Sequence, residues 1–200
     1  MAVDLLDYLK GGDNSPCLWV NFNNYAKNLL LGSDANPWST PASYLSFYTQ
    51  AHALVKAEVV VIDVWDLFHH WMEDDETAIK SMSEKSRSTF ASKVLLEAYA
   101  PRELLAEVLI AINDNYGNSV PTVLVIPSPR SLLARSHKAA TKNDLEPTEM
   151  SVDTVSMYMA DFLRYYSETN LSGILLVEDE ELLPSSAEEI TWYQPVLNVA

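Results

Sequence analysis

Two carboxylates three positions apart, Asp63 and Asp66, close an apolar run of this sequence, Ala57-Glu58-Val59-Val60-Val61-Ile62-Asp63-Val64-Trp65-Asp66-Leu67. A carboxylate pair in a partly dry setting can hold a cationic or amine group, divide the work of base and acid, or accept hydrogen bonds from a substrate ring. The structural alternative is that one caps the following helix, expected over 67–72, and the other is solvated. His69 and His70 follow within one turn. Adjacent helical residues point about 100° apart, so the two imidazoles do not converge on one metal ion. Asp66 does share a face with each of them, and a carboxylate beside an imidazole tunes its protonation. Asn21, Asn23 and Asn24 cluster after another apolar stretch, where asparagines build turns or line an uncharged polar site. Arg130, between Pro129 and Ser131, carries the planar fork suited to a substrate carboxylate or phosphate, or to a salt bridge with the acidic run Glu178-Asp179-Glu180-Glu181. We take Asp63 and Asp66 as the candidate catalytic pair, and Asn21, Asn23, His69, Arg130 and Glu178 as candidate substrate-binding residues.

These residues need elements to hold them. The segment Glu58 to Val64 is rich in β-branched residues without polar alternation, the pattern of a strand covered on both faces. Three further stretches are short, apolar and bounded by turn residues: Cys17 to Phe22, Thr122 to Ile126 and Gly173 to Val177. Helical patterns lie between them. Ala42 to Val55 places Tyr44, Phe47, Tyr48 and Ala51 on one face, an aromatic stripe that fits a core. Arg102 to Tyr116 carries Leu105, Val108, Leu109 and Ile112, with Gly117 as a C-terminal stop. Ser151 is the expected cap of a helix running to Tyr166, and Ser185-Ser186-Ala187-Glu188-Glu189 offers two overlapping capping boxes. Residues 141–150 are polar, contain Pro147 and should form a loop. Four strands alternating with helices imply parallel βαβ units. The expected architecture is a single α/β domain over residues 1–200, half of a (β/α)8 barrel, with a doubly wound parallel sheet as the competing arrangement. Polar residues at strand C-termini are where such folds carry their chemistry.

Composition narrows the function. The 200 residues include 13 Lys and Arg against 28 Asp and Glu, a net charge of −15, which repels phosphate backbones and anionic lipid. Neither nucleic acid nor a membrane is an expected partner; a small-molecule substrate is. No apolar run approaches the roughly 18 residues of a membrane span, and Met1-Ala2-Val3-Asp4 lacks a signal peptide's basic flank, so the expected location is the cytoplasm. Cys17 is the only cysteine, which leaves it as a small apolar residue and rules out an internal disulfide. A Gly-rich phosphate loop, a G-x-S-x-G elbow, H-E-x-x-H and C-x-x-C are all missing, so no nucleotide, serine-hydrolase or metal-ligand motif stands out.

The order of segments carries a family resemblance. A helix ends in Asn115-Tyr116-Gly117, a strand starts at Val120-Pro121, and Pro127-Ser128-Pro129-Arg130-Ser131-Leu132 follows. Then come Met159-Ala160-Asp161-Phe162-Leu163-Arg164-Tyr165-Tyr166 and Leu171-Ser172-Gly173-Ile174-Leu175-Leu176-Val177-Glu178. This resembles the first half of the uroporphyrinogen decarboxylase-like superfamily, which includes corrinoid-dependent methyltransferases, over residues 17–200. The resemblance implies a (β/α)8 barrel of which this chain is the N-terminal half, with a dimer partner or the remaining barrel half covering the open edge. It implies decarboxylase or methyl-transfer type chemistry on a small or corrinoid-linked substrate. The family's substrate-gripping arginine pair is replaced here by Asn21-Phe22-Asn23-Asn24-Tyr25-Ala26-Lys27, and Lys27 lacks the bidentate fork. The family aspartate corresponds to Asp63 or to Asp66, the acidic residue after the fourth strand to Glu178, and the aromatic hydroxyl after the third strand has no counterpart in Ser128-Pro129-Arg130-Ser131. Porphyrinogen decarboxylation is therefore not expected. The alternative is a non-catalytic, barrel-derived binding protein.

Overall fold

The computed structural model describes residues 2–10, 17–32, 35–117, 120–179 and 187–199. Contacts divide the chain into two units, one of Met1–Leu67, Glu103–Val125 and Ser167–Leu175, the other of Phe68–Arg102, Ile126–Tyr166 and Leu176–Ala200. Three strands occur among the described residues: β1 (Val60–Asp63), β2 (Thr122–Pro127) and β3 (Gly173–Val177), in the spatial order β1-β2-β3. β1 and β2 run parallel, with Val60 opposite Thr122 and Asp63 opposite Val125. Helices alternate with the strands, so the α/β class and the parallel sheet in chain order agree with the sequence pattern.

In the first unit, α1 (Leu5–Lys10), α2 (Asn23–Leu30), a short 3-10 helix (Pro37–Ser39) and α3 (Pro41–Val55) precede β1. Thr40 caps α3, its hydroxyl accepting from the Ser43 amide at 3.1 Å, and Pro41 stands at the first helical position. The aromatic stripe of α3 is core, as its spacing implies: Tyr44, Phe47, Tyr48 and Ala51 are all buried. Val59, Val61, Val123 and Val125 form a second apolar layer, against which Leu5, Cys17 and Trp19 pack.

The expected first strand, Cys17 to Phe22, is not one. Its backbone bonds come just before β1, where the Glu58 amide donates to the Leu18 carbonyl at 2.9 Å and the Leu18 amide donates to the Glu58 carboxylate at 2.7 Å. The reason lies at Val61. The Val60 amide donates towards β2, to the Pro121 carbonyl at 2.9 Å. Val61 therefore points its backbone to the opposite edge, because neighbouring residues of a strand alternate. There the Val61 amide donates to the Tyr48 hydroxyl at 3.2 Å, and the Val61 carbonyl accepts from Asn23 Nδ2 at 3.4 Å. Two side chains satisfy the edge that a fourth strand would have paired. Leu18 and Val20 remain on the surface, 45% and 37% exposed.

The second unit is mainly helical. α4 (Val64–Asp74) starts in the first unit and continues into the second, followed by α5 (Glu76–Met82) and α6 (Phe90–Glu97). α7 (Tyr99–Tyr116) begins in the second unit and runs on into the first, ending at Gly117, whose φ of 67° is the left-handed conformation that stops a helix. α8 (Pro129–Thr141) and α9 (Glu149–Arg164) pack on each other and on α6, and the chain closes with a 3-10 helix (Glu189–Tyr193) and α10 (Gln194–Leu197). The cap of α9 is Thr148 rather than Ser151. The Thr148 amide donates to the Ser151 hydroxyl at 2.9 Å, making Ser151 the reciprocal partner three residues inside the helix. Residues 142–148 form the expected loop. The proposed capping boxes begin at Ser185 and Ser186, outside the described residues.

Tyr48→Phe would leave the buried Val61 amide without an acceptor. An unsatisfied buried amide costs about 1–3 kcal/mol, so urea unfolding of the variant should show a stability loss in that range with an unchanged slope.

Candidate functional site

β1 ends at Asp63, and the next residue is the first of α4. The Asp63 carboxylate sits where both elements need it. Oδ1 accepts from the amides of Trp65 at 3.0 Å and Asp66 at 3.2 Å, which are the second and third positions of α4. This is the geometry of an N-cap. Oδ2 accepts from Asn21 Nδ2 at 3.2 Å, and Asn21 Oδ1 in turn accepts from the Asn23 amide at 3.2 Å, which anchors the start of α2. The helix expected over 67–72 thus begins three residues earlier, at Val64, because Asp63 supplies its cap.

Asp66 belongs to the first turn of α4 and is half-buried. Its Oδ2 accepts from the Trp38 indole nitrogen at 2.8 Å. Asn36 positions that tryptophan, its side chain accepting from the Trp38 amide at 2.8 Å at the start of the 3-10 helix. The Trp38 ring lies on the Tyr44 ring, with centroids 4.0 Å apart. Asn21, Asn23, Asp63 and Asp66 therefore meet at the C-terminal end of one buried strand, joined by Trp38 and Tyr44, which sequence reading treated as core or passed over. The signal for Trp38 was its place after Asn36-Pro37, a capped turn entry.

Burial pushes the Asp63 carboxyl above the ordinary carboxylate range, and the nearby Asp66 charge acts in the same direction; the hydrogen bonds from Asp66, Asn21 and Trp65 oppose this and do not cancel it. Burial likewise raises the Tyr44 hydroxyl far above its usual value, with Tyr48, Asp66 and Asp63 adding to the effect and Asn23 opposing it. Tyr44 is a neutral phenol at every physiological pH.

Arg130 and Glu178 lie in the second unit. Ser128 caps α8, its hydroxyl accepting from the Ser131 amide at 3.1 Å and donating to Ser131 Oγ at 3.0 Å. Ser131 Oγ donates to Glu178 Oε2 at 3.2 Å and accepts from the Asp179 amide at 2.7 Å. The Tyr193 hydroxyl donates to Glu178 Oε1 and stands 3.4 Å from Ser128 Oγ. Tyr193, 65 positions later in the chain, thus brings an aromatic hydroxyl beside the cap of α8. Burial, then the Glu178 carboxylate, hold the Tyr193 phenol protonated, and the charge of Arg130 partly offsets them. Arg130 is buried within the first turn of α8. Arg135 makes an ion pair to the acidic run, its Nε donating to Asp179 Oδ2 at 2.7 Å. Nothing in the sequence distinguished Arg135 from a surface arginine, and Tyr193 is separated from Glu178 by residues whose path the sequence does not define.

His69 is exposed on α4 and belongs to the second unit. Its Nδ1 lies 3.4 Å from Glu73 Oε2, and the buried His70 reaches the same carboxylate oxygen at 3.5 Å. His52 is structural, bonding the Ala57 carbonyl through Nε2 at 2.8 Å. Among the described residues no cluster of three or more His, Cys, Asp or Glu side chains could hold a metal ion, and no helix is long and apolar enough to cross a membrane. No family model, no curated protein and no solved structure matches the chain.

The pair of variants Asp63→Asn and Asp63→Ala separates cap from charge. Asparagine caps helices as well as aspartate, whereas alanine should cost about 1 kcal/mol at pH 7. A carboxyl with a raised folded pKa binds its proton more tightly in the native state than in the unfolded one. Its contribution to stability therefore falls as pH rises from the ordinary carboxylate range through the raised value. Wild type minus Asp63→Asn, measured by thermal melting between pH 4 and pH 7, should show that fall. A flat difference is the contrary result.

Proposed function

We propose that this chain is a divergent member of the uroporphyrinogen decarboxylase/methyltransferase-like superfamily, binding a small or corrinoid-linked substrate at the C-terminal end of β1. The observation that carries the reading is the convergence of Asn21, Asn23, Asp63 and Asp66 where a buried parallel strand hands over to a helix. Parallel α/β folds carry their sites at that end of the sheet. Asp66 is the residue we assign to substrate, since Asp63 spends one oxygen on the cap of α4 and the other on Asn21. Asp63 then acts as the positioning residue. Two carboxylates at the site disfavour a polycarboxylated tetrapyrrole and favour a neutral or cationic group. A half-barrel completed by a partner or by further chain is the finer architecture of this reading.

The cap made by Asp63 favours a second reading, a non-catalytic binding protein derived from the same fold. Asp66→Asn discriminates, because it retains an acceptor for Trp38 while removing the charge. Absorbance titration with methylcobalamin, and calorimetric titration with small carboxylic acids and methylated amines, should give saturable binding in at least one class. Asp66→Asn should weaken it roughly tenfold, the scale of one charged hydrogen bond, without a matching loss of thermal stability. Binding unaffected by Asp66→Asn, or none in any class, overturns the assignment.

A further inference from the structure

The positive charge of this acidic chain is gathered in one part of the second unit. Two stretches, residues 80–93 and 130–142, hold eight of the 13 Lys and Arg and a single carboxylate, Glu84. The rest of the chain holds five cations against 27 carboxylates, so an island of +7 stands in a remainder of −22. The two stretches are neighbours in space. α5 packs on α6 and on α8, α6 packs on α8, and the buried hydroxyls of Ser92 and Ser136 join α6 to α8 at 2.7 Å.

Folding leaves part of this charge facing outward. Lys93, Arg135 and Lys138 pair with Glu97, Asp179 and Asp144. Lys80, Lys85 and Arg87, around the turn from α5 to α6, and Lys142, just past the end of α8, are exposed. Among the described residues none of these four pairs with a carboxylate, although carboxylates outnumber cations in the chain by 28 to 13. The turn itself is built by local bonds. The Ser83 amide donates to the Ile79 carbonyl at 3.1 Å and the Phe90 amide to the Arg87 carbonyl at 2.9 Å, while Lys85 Nζ lies 4.9 Å from the centroid of the Phe90 ring. Lys85 and Arg87 are thereby held together at the start of α6.

We infer that the turn from α5 to α6 and the C-terminal end of α8 form a docking surface for a short acidic segment of a partner protein. The size and setting of the island decide the class of partner. A nucleic-acid strand carries a phosphate at every step and tracks a basic surface continuously; past the island it would run against the acidic remainder. A second copy of this chain brings its own −15, and the two repel as they approach. A short run of Asp and Glu needs only a few neighbouring cations and ends where they end. Screening over about 8 Å at physiological salt keeps the surrounding carboxylates from cancelling the island for a ligand in contact with it. The surface lies in the second unit and is independent of the substrate-site reading at the end of β1.

Titration of the full chain with a hexaglutamate peptide of blocked ends, followed through backbone amide shifts, tests the inference. Saturable binding is expected, with shifts confined to residues 80–89 and 138–142 and affinity falling as salt is raised. The double variant Lys80→Gln/Arg87→Gln should weaken binding about fivefold, the scale of two exposed ion pairs, with thermal melting unchanged because both side chains are exposed. Lys10→Gln, which removes an exposed cation from the first unit, should leave the affinity as it was. An oligothymidylate of equal charge should bind more weakly than the peptide. No saturable binding of the peptide, unaltered binding by Lys80→Gln/Arg87→Gln, an equal loss with Lys10→Gln, or tighter binding of the oligothymidylate overturns the inference, the last in favour of a nucleic-acid surface.

Discussion

The backbone of Val61 faces away from β2, and something in the core must satisfy it. The Tyr48 hydroxyl takes its amide and the Asn23 side chain takes its carbonyl. Much of the first unit follows from that requirement. Tyr48 fixes the face of α3 that turns inward, and with it the buried stripe of Tyr44, Phe47 and Ala51. Asn23 fixes the first turn of α2 beside the strand, which brings Asn21 within reach of Asp63. An edge closed by side chains also resists pairing with another strand at Val61, a device by which sheets avoid uncontrolled association.

The two carboxylates at the end of β1 have separate tasks. Asp63 holds three elements together: it ends β1, caps α4 and tethers the segment before α2. Asp66 accepts from Trp38, a residue itself held by Asn36. A group that is locked by its neighbours keeps its geometry when a ligand arrives, which is what a binding site requires. In the second unit Glu178 is engaged differently. Its carboxylate is bonded by Ser131 and Tyr193, so it joins β3, α8 and the C-terminal 3-10 helix.

The sequence made the strands β1, β2 and β3 legible because each is an apolar run with turn residues at its ends, and it located the carboxylate pair by the abrupt end of one such run. It made the inward faces of α3, α7 and α9 legible through helical spacing. The first expected strand failed for a reason that spacing does not encode: Cys17 to Phe22 has a strand's composition, but the bonds it would have made at Val61 go to side chains from α2 and α3. The cap of α9 was displaced because Thr148 and Ser151 are both good capping residues and only backbone geometry tells cap from partner. Trp38, Tyr44 and Tyr193 were missed as site-lining groups because an aromatic side chain announces burial in a sequence, whereas the partner of its polar atom depends on contacts far along the chain.

Amide hydrogen exchange at Val61 tests the closure of the β1 edge most directly. The Val61 amide is expected to exchange as slowly as that of Val60, which is bonded to β2, and Tyr48→Phe should accelerate Val61 more than Val60. Rapid exchange of Val61 in the unaltered chain, or equal acceleration of both amides by Tyr48→Phe, would contradict the account.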